Sequence, residues 1–299
     1  VLTNPPIFEP FERLTSMLPL PRYGSVDPTP FVAVFFPMLF GVIVGDIGYG
    51  AMIALIAAIL WWRRGPGKSL AHDLALIAAA VASYTIIFGV LYGELFGDLG
   101  AHLFGMRPLW LDREEAILPF LAGAIALGLV HLLLGLVVAA INRRGHPREA
   151  AGRGLTALML ALIAVALAAV VGYLPRALFT PAIVALLVAF PLLVALEGAT
   201  ALLELVTTVG HVMSYARVMA LGTASVMLAV VANQMVGAFG GAAVGVVLAL
   251  LFHLVNFAIT LFSPTIHVLR LHYVEFFGTF FSPGGRRYQP LAHWSSAPS

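Results

Sequence analysis

Residues 243–278 read AVGVVLALLFHLVNFAITLFSPTIHVLRLHYVEFFG, an apolar run of 36 residues carrying one arginine, Arg270. At 1.5 Å per residue a helix of this length measures about 54 Å, far more than the ~30 Å hydrocarbon core of a bilayer. So long an apolar helix belongs in a membrane, where it must tilt, bend or project beyond the surface. Pro264 predicts a kink along it. It carries His253, Asn256, Thr260, Ser263, His267 and Arg270, spaced 3, 4, 3, 4 and 3, which puts all six on one face. Lipid satisfies none of these groups, so the stripe faces protein or water.

The run before it, 205–236, repeats the pattern over 32 residues, about 48 Å of helix. Glu204, Thr207, His211, Ser214 and Arg217 fall at spacings of 3, 4, 3 and 3, and the stripe again stops at an arginine. A guanidinium near the bilayer centre costs roughly 2.5–3.5 kcal/mol on insertion scales. It cannot lower that cost by releasing its proton, because its pKa lies above ~12. A permanent charge held there calls for a carboxylate partner. The two helices run in opposite directions, so each offers a polar route from a different side that ends at fixed positive charge. Two such dead ends suit half-channels feeding a moving carrier better than they suit a pore.

Composition agrees with a membrane protein. Of 299 residues 61% are hydrophobic and 10% charged, with a mean hydropathy of +1.00; a soluble domain carries about 25% charge. The fold class expected is an all-α polytopic membrane protein. Further apolar runs fall at 31–62, 72–96, 117–141, 154–173 and 179–202. The first is interrupted by Gly45-Asp46-Ile47-Gly48-Tyr49-Gly50, and charge decides how to read it. If 31–62 is a hairpin of two short helices, the chain has eight crossings. Arg13, Arg22, Arg63, Arg64, Lys68, Arg143, Arg144, Arg148, Arg153, Arg286 and Arg287 then share one side, and Arg107, Arg113 and Arg176 the other. With Arg217 and Arg270 in the membrane, all 16 basic residues are placed. The positive-inside rule makes the first side cytoplasmic and favours eight helices. Residues 1–30, with seven prolines, read as an extended lead-in from a preceding soluble domain. Residues 31–281 form the transmembrane domain and 282–299 a cytoplasmic tail.

Several chemistries are excluded. The chain has no cysteine, hence no thiolate metal site or nucleophile. His267 and His272 are five apart and point to different faces, so no metal is expected. No phosphate loop or catalytic triad pattern is present, no cofactor is implied, and no basic cluster suggests nucleic acid. Asp46, Glu94 and Asp98 collect on the external side, as interfacial structure or as an electronegative vestibule for cations.

Four blocks then resemble one family. Residues 23–50 (YGSVDPTPFVAVFFPMLFGVIVGDIGYG), 89–98 (GVLYGELFGD), 214–221 (SYARVMAL) and 267–290 (HVLRLHYVEFFGTFFSPGGRRYQP) resemble the membrane domain of the V-type ATPase a subunit, called subunit I in bacterial and archaeal V/A-type enzymes. The resemblance implies a non-catalytic stator subunit of an ion-translocating rotary ATPase or ATP synthase in a bacterial or archaeal plasma membrane. Its partners would be a proteolipid ring clasped by the last two tilted helices, peripheral stalks reached through an N-terminal soluble half, and a central-stalk subunit capping the ring. Each proteolipid carboxylate would take a proton or Na⁺ from one half-channel and release it into the other. On this resemblance Arg217 and Arg270 are the arginines of the seventh and eighth helices, His267 the histidine before the second, and Glu204 the carboxylate of the seventh with a one-residue offset. Ser225 and Thr260 stand where eukaryotic members carry a histidine and a glutamate, so the external half-channel lacks its usual carboxylate. The rival reading is a stand-alone secondary transporter that binds an anionic substrate with the same arginines.

Overall fold

The computed structural model describes residues 4–65, 69–198, 200–238 and 242–285; Lys68, Arg286, Arg287 and the rest of the tail lie outside the described residues. It is all helical, apart from one isolated bridge between Pro21 and Pro283. The apolar run at 31–62 is a hairpin of two 16-residue helices, α1 (Thr29–Val44) and α2 (Ile47–Trp62). Among the described residues six helices are long and apolar enough to cross a membrane. They are α3 (Leu70–Tyr92), α4 (Ile117–Asn142), α5 (Pro147–Val171), α6 (Phe179–Glu197), α7 (Ala201–Met213 continuing as Ala216–Ala238) and α8 (Ala242–Arg270, extended to Phe280). The last two spans, of 36 and 38 residues, are the longest.

α1 is the centre of the molecule. Val32, Phe36, Leu39, Phe40, Ile43 and Val44 are buried along it, and α3, α7 and α8 all pack on it. α3 also lies against α2, while α5 and α6 pair at the periphery, joined to the rest through α4 and the first half of α7. Apolar residues that remain exposed, such as Leu187, Val188 and Leu203, are those of a surface in contact with hydrocarbon.

The lead-in is not extended. Residues 9–11 and 12–15 form single helical turns, and side chains tie the segment to one end of the bundle. The Tyr273 hydroxyl donates to the Leu14 carbonyl at 2.6 Å, the Arg22 amide to Ser282 at 3.0 Å and the Val26 amide to Asn142 Oδ1 at 3.1 Å. Arg13 pairs with Asp73 at the start of α3. Proline removed donors here without preventing compaction, because these tertiary partners take up the remaining polar groups.

Two further departures concern the long helices. α7 is broken at Ser214–Tyr215, immediately before Arg217. Pro264 sits inside the continuous α-helical part of α8, whereas Leu271–Phe276, directly after Arg270, winds as a π-helix. Such insertions recur at functional positions.

Candidate ion-translocation site

The polar stripe on α8 is not parallel to the helix axis. From His253 to Arg270 is 17 residues, which at 3.6 per turn is about 100° short of five turns. The stripe therefore begins inside the protein, with Asn256 and Thr260 buried, passes through half-buried Ser263 and His267, and emerges at exposed Arg270. Arg217, on α7, lies beside its emerging end, near His267 and Glu275. Both guanidiniums act electrostatically on His267, whose Nδ1 is buried without a partner. Arg217, Arg270 and His267 thus share one locality.

Neither arginine is locked to an acid. Arg217 Nη1 stands 3.9 Å from Glu275 Oε1, a contact without a hydrogen bond, and its side chain remains 23% exposed. Arg270 makes no ion pair among the described residues. Beyond Arg217 two outward positions of α7 are small: Ala220 and Ala224 are exposed, one and two turns on. Small residues let another helix approach closely.

At the bundle end away from the lead-in, the α8 stripe enters a continuous network. Asp98 accepts from Asn233 Nδ2 at 2.6 Å, and Asn233 Oδ1 meets His253 Nε2 at 2.9 Å. His253 Nδ1 is 2.9 Å from the Tyr49 hydroxyl, which also receives Asn256 Nδ2 at 2.8 Å. The Thr260 hydroxyl follows at 3.4 Å from Asn256 Oδ1, and Ser225 at 3.1 Å from Thr260. Ser225 lies eight residues after Arg217, about 12 Å along α7. The network gathers four elements because Gly97, with φ +72°, lets the loop after α3 lie directly on Ala229 of α7. That contact places Asp98 beside Asn233, one turn further along.

Asp46 and Glu94, which share this end, have their oxygens committed to backbone and arginine. Asp46 caps α2 by accepting from the Tyr49 amide at 3.0 Å, and also holds the amides of Phe96 and Gly97 at 3.0 and 2.8 Å. Gly45 before it takes the left-handed conformation, φ +35°, that ends α1. Fully buried Arg113 then closes the exposed end of α1. Its Nη1 donates to Ile43 O at 2.7 Å and its Nη2 to Val44 O and Gly45 O at 3.1 and 3.2 Å, while Glu94 receives Nε at 2.8 Å and also binds Nη2. Burial pushes the Glu94 carboxyl up to about 7 against the pull of Arg113, and the carboxylate in turn raises the Arg113 guanidinium.

The stripe on α7 is not knit in the same way. Glu204 pairs with Arg153 of α5. Thr207 and Ser214 return their hydroxyls to the Leu203 and Gly210 carbonyls of their own helix at 2.8 and 3.2 Å. His211 is half-buried. Glu204 therefore stands at the lead-in end of the bundle, apart from Arg217, Arg270 and His267. Tyr49, Asn233 and Arg113 were not legible as site residues. A lone asparagine in the apolar stretch VVANQMV was the available signal, whereas Arg113 reads in sequence as an ordinary loop charge.

No protein-family profile matches the chain, but similarity to curated proteins extends over nearly all of it. It is 31% identical to the A-type ATP synthase subunit I of Pyrococcus abyssi over 97% of its own length and 47% of that protein. It is 32% identical to the Pyrococcus horikoshii protein and 28% identical to that of Methanocaldococcus jannaschii, with nearly the same coverage. The chain is thus homologous, at about 30% identity over nearly its whole length, to A-type ATP synthase subunit I proteins. It spans about half the length of the curated relatives it matches, corresponding to their C-terminal part. Among the described residues this homologous stretch holds six helices of full spanning length and the two of the hairpin.

Proposed function

We propose that this chain is the membrane part of the stator of a rotary ATP synthase or ATPase, presenting Arg217 and Arg270 to a carboxylate on a turning proteolipid ring. The observation that carries the reading is the pair of guanidiniums on adjacent helices, flanking one site and paired with no hydrogen-bonded acid. The small residues Ala220 and Ala224 next to Arg217 leave room for a ring helix. An attraction of ~4 kcal/mol at 4 Å, for an effective dielectric of 20, holds the passing carboxylate ionised and forces its proton or Na⁺ off. Fixed positive charge also bars direct leakage between the two polar routes. His253, Asn256 and Thr260, with Asp98 at the mouth, line the external route. Glu204, Thr207, His211 and Ser214 line the cytoplasmic one, with Ser263 and His267 between them and Arg270. Asp46 and Glu94 shape the external mouth through the backbone they hold. The lead-in connects to the peripheral-stalk half of subunit I, and the crowd of arginines at its end of the bundle makes that end cytoplasmic.

The test is ATP-driven ion uptake by the complete complex in vesicles. Arg217→Ala falls to background while the ring still co-purifies. Arg217→Lys recovers little, because a lysine at this depth neutralises on desolvation. Full uptake in Arg217→Ala refutes the role.

A further inference from the structure

α7 breaks at Ser214–Tyr215, although neither residue is proline or glycine. The Ser214 hydroxyl returns to the Gly210 carbonyl at 3.2 Å, a contact that bends a helix without ending it. What departs from regular winding is the reach of the amides. Tyr215 donates to the Val212 carbonyl at 3.0 Å, Arg217 to Ser214 at 3.3 Å and Val218 to Tyr215 at 2.9 Å, each three residues back. Three residues per turn in place of 3.6 carries each side chain about 20° further round, so roughly 60° accumulates over three residues. The direction taken by Arg217 therefore depends on the break being kept.

The contacts that keep it come from α4, which packs on both halves of α7 and on the last turns of α8. Gly128, His131 and Gly135 fall at spacings of 3 and 4, on one face of that helix. A Cβ at residue 128 would overlap the Tyr215 ring, and one at 135 would overlap Thr279 and crowd Phe276. Between these two glycines His131, fully buried, touches three elements. Its Nδ1 lies 2.6 Å from the hydroxyl of Tyr215 on α7. Its ring stacks on Phe35 of α1, with centroids 4.3 Å apart, and on Phe276 of the π turn, with centroids 4.0 Å apart. Tyr215 stands two residues before Arg217, and Phe276 directly follows Glu275.

We propose that this face of α4 is the template that sets the charged groups of α7 and α8 against each other, with His131 and Tyr215 as positioning residues for Arg217. The inference rests on the stator reading above. One side chain bonded to residue 215 and stacked on residue 276 fixes Arg217 relative to Glu275, at 3.9 Å and short of a hydrogen bond. Packing alone does not account for an imidazole here. His131 Nε2 is buried with no partner among the described residues, a cost that leucine at this site would not carry. The bond to Tyr215 is what histidine supplies and leucine lacks. Without it, the local sequence does not resist regular winding, and Arg217 swings away from the passing carboxylate.

The experiment uses the complete complex in vesicles, with ATP-driven ion uptake measured per assembled complex, counted by its ring. Tyr215→Phe keeps the aromatic ring seated on Gly128 and removes only the hydroxyl. Its uptake falls roughly tenfold to a hundredfold, the range for a displacement of about 1 Å at a reacting group. His131→Leu gives a similar loss. The double variant loses no more than the worse single one, since both changes remove one bond. His131→Asn decides between positioning and packing. Its amide reaches the place of Nδ1 and recovers most of the uptake that His131→Leu loses. A packing role orders the two the other way, because leucine keeps apolar contact with Phe35 and Phe276 while asparagine buries an amide. Uptake by His131→Leu equal to or above that of His131→Asn, normal uptake by Tyr215→Phe, or losses that multiply in the double variant overturns the template. Arg217→Ala run in parallel separates the two readings. Inactive Arg217→Ala beside fully active His131 and Tyr215 variants refutes only the template, whereas full uptake by Arg217→Ala refutes the stator.

Discussion

Arg217 and Glu275 stand 3.9 Å apart, each with a buried atom lacking a hydrogen-bond partner: Nη1 on the arginine and Oε2 on the glutamate. Glu275 is 1% exposed and sits in the π-helical turn after Arg270. A buried carboxylate facing a buried edge of guanidinium, without the bond that would close the pair, holds Arg217 in place while leaving it able to engage a second acid. At this separation the attraction is ~4 kcal/mol for an effective dielectric of 20. Glu275→Gln keeps the side-chain shape and removes the anion. On the proposed stator reading, Arg217 then has only the passing carboxylate to hold, and release becomes the slow step. The expected result is ATP-driven pumping about tenfold slower, ~1.4 kcal/mol on the barrier, in a complex that assembles normally. An unchanged rate would mean that Arg217 works without a resident counter-ion. Arg270, exposed and free of any acid among the described residues, has no such anchor, so the two arginines are not equivalent.

The hairpin α1–α2 shows how an element can be legible while its fastening is not. Its arms, about 24 Å each at helical rise, are shorter than the hydrocarbon core, and they were separable from one long helix only because charge on the following loops demanded an even number of crossings. What holds the turn lies elsewhere in the chain. Arg113 satisfies three carbonyls at the end of α1 and the Glu94 carboxylate at once, work that no local pattern around residue 113 announces. The break at Ser214–Tyr215 and the π turn at 271–276 were equally hidden, since side-chain spacing reports which face a residue takes and not which carbonyl its amide reaches. Arg113→Leu orphans those carbonyls and leaves Glu94 buried without its cation, a loss expected to reach about 3–5 kcal/mol. Glu94→Gln, which retains an acceptor and removes the charge, is milder. Thermal unfolding of the purified complex ranks the two, and equal midpoints for Arg113→Leu and the parent protein would refute the capping role.

Across the whole molecule, the basic residues sort to two ends, and the proposed use of each polar route depends on that sorting. Arg13, Arg22, Arg63, Arg64, Arg143, Arg144 and Arg148 gather at the end where the lead-in docks, and Arg107, Arg113 and Arg176 lie at the other. Sequence alone yielded this sorting and the two arginine-terminated stripes, because hydropathy and charge act over whole helices. It did not yield Tyr49–His253–Asn233, because partners 204 and 20 residues apart meet only after packing. On the proposed topology the Asp98 end faces outside the cell and the Glu204 end the cytoplasm. Since the chain contains no cysteine, a single introduced one reports its own position. Glu114 and Arg144 are exposed at opposite ends. In intact cells a membrane-impermeant maleimide labels Glu114→Cys, and it labels Arg144→Cys only after permeabilisation. The reverse pattern would exchange the sides of the two proposed routes and put the Tyr49–His253–Asn233 end of the bundle in the cytoplasm.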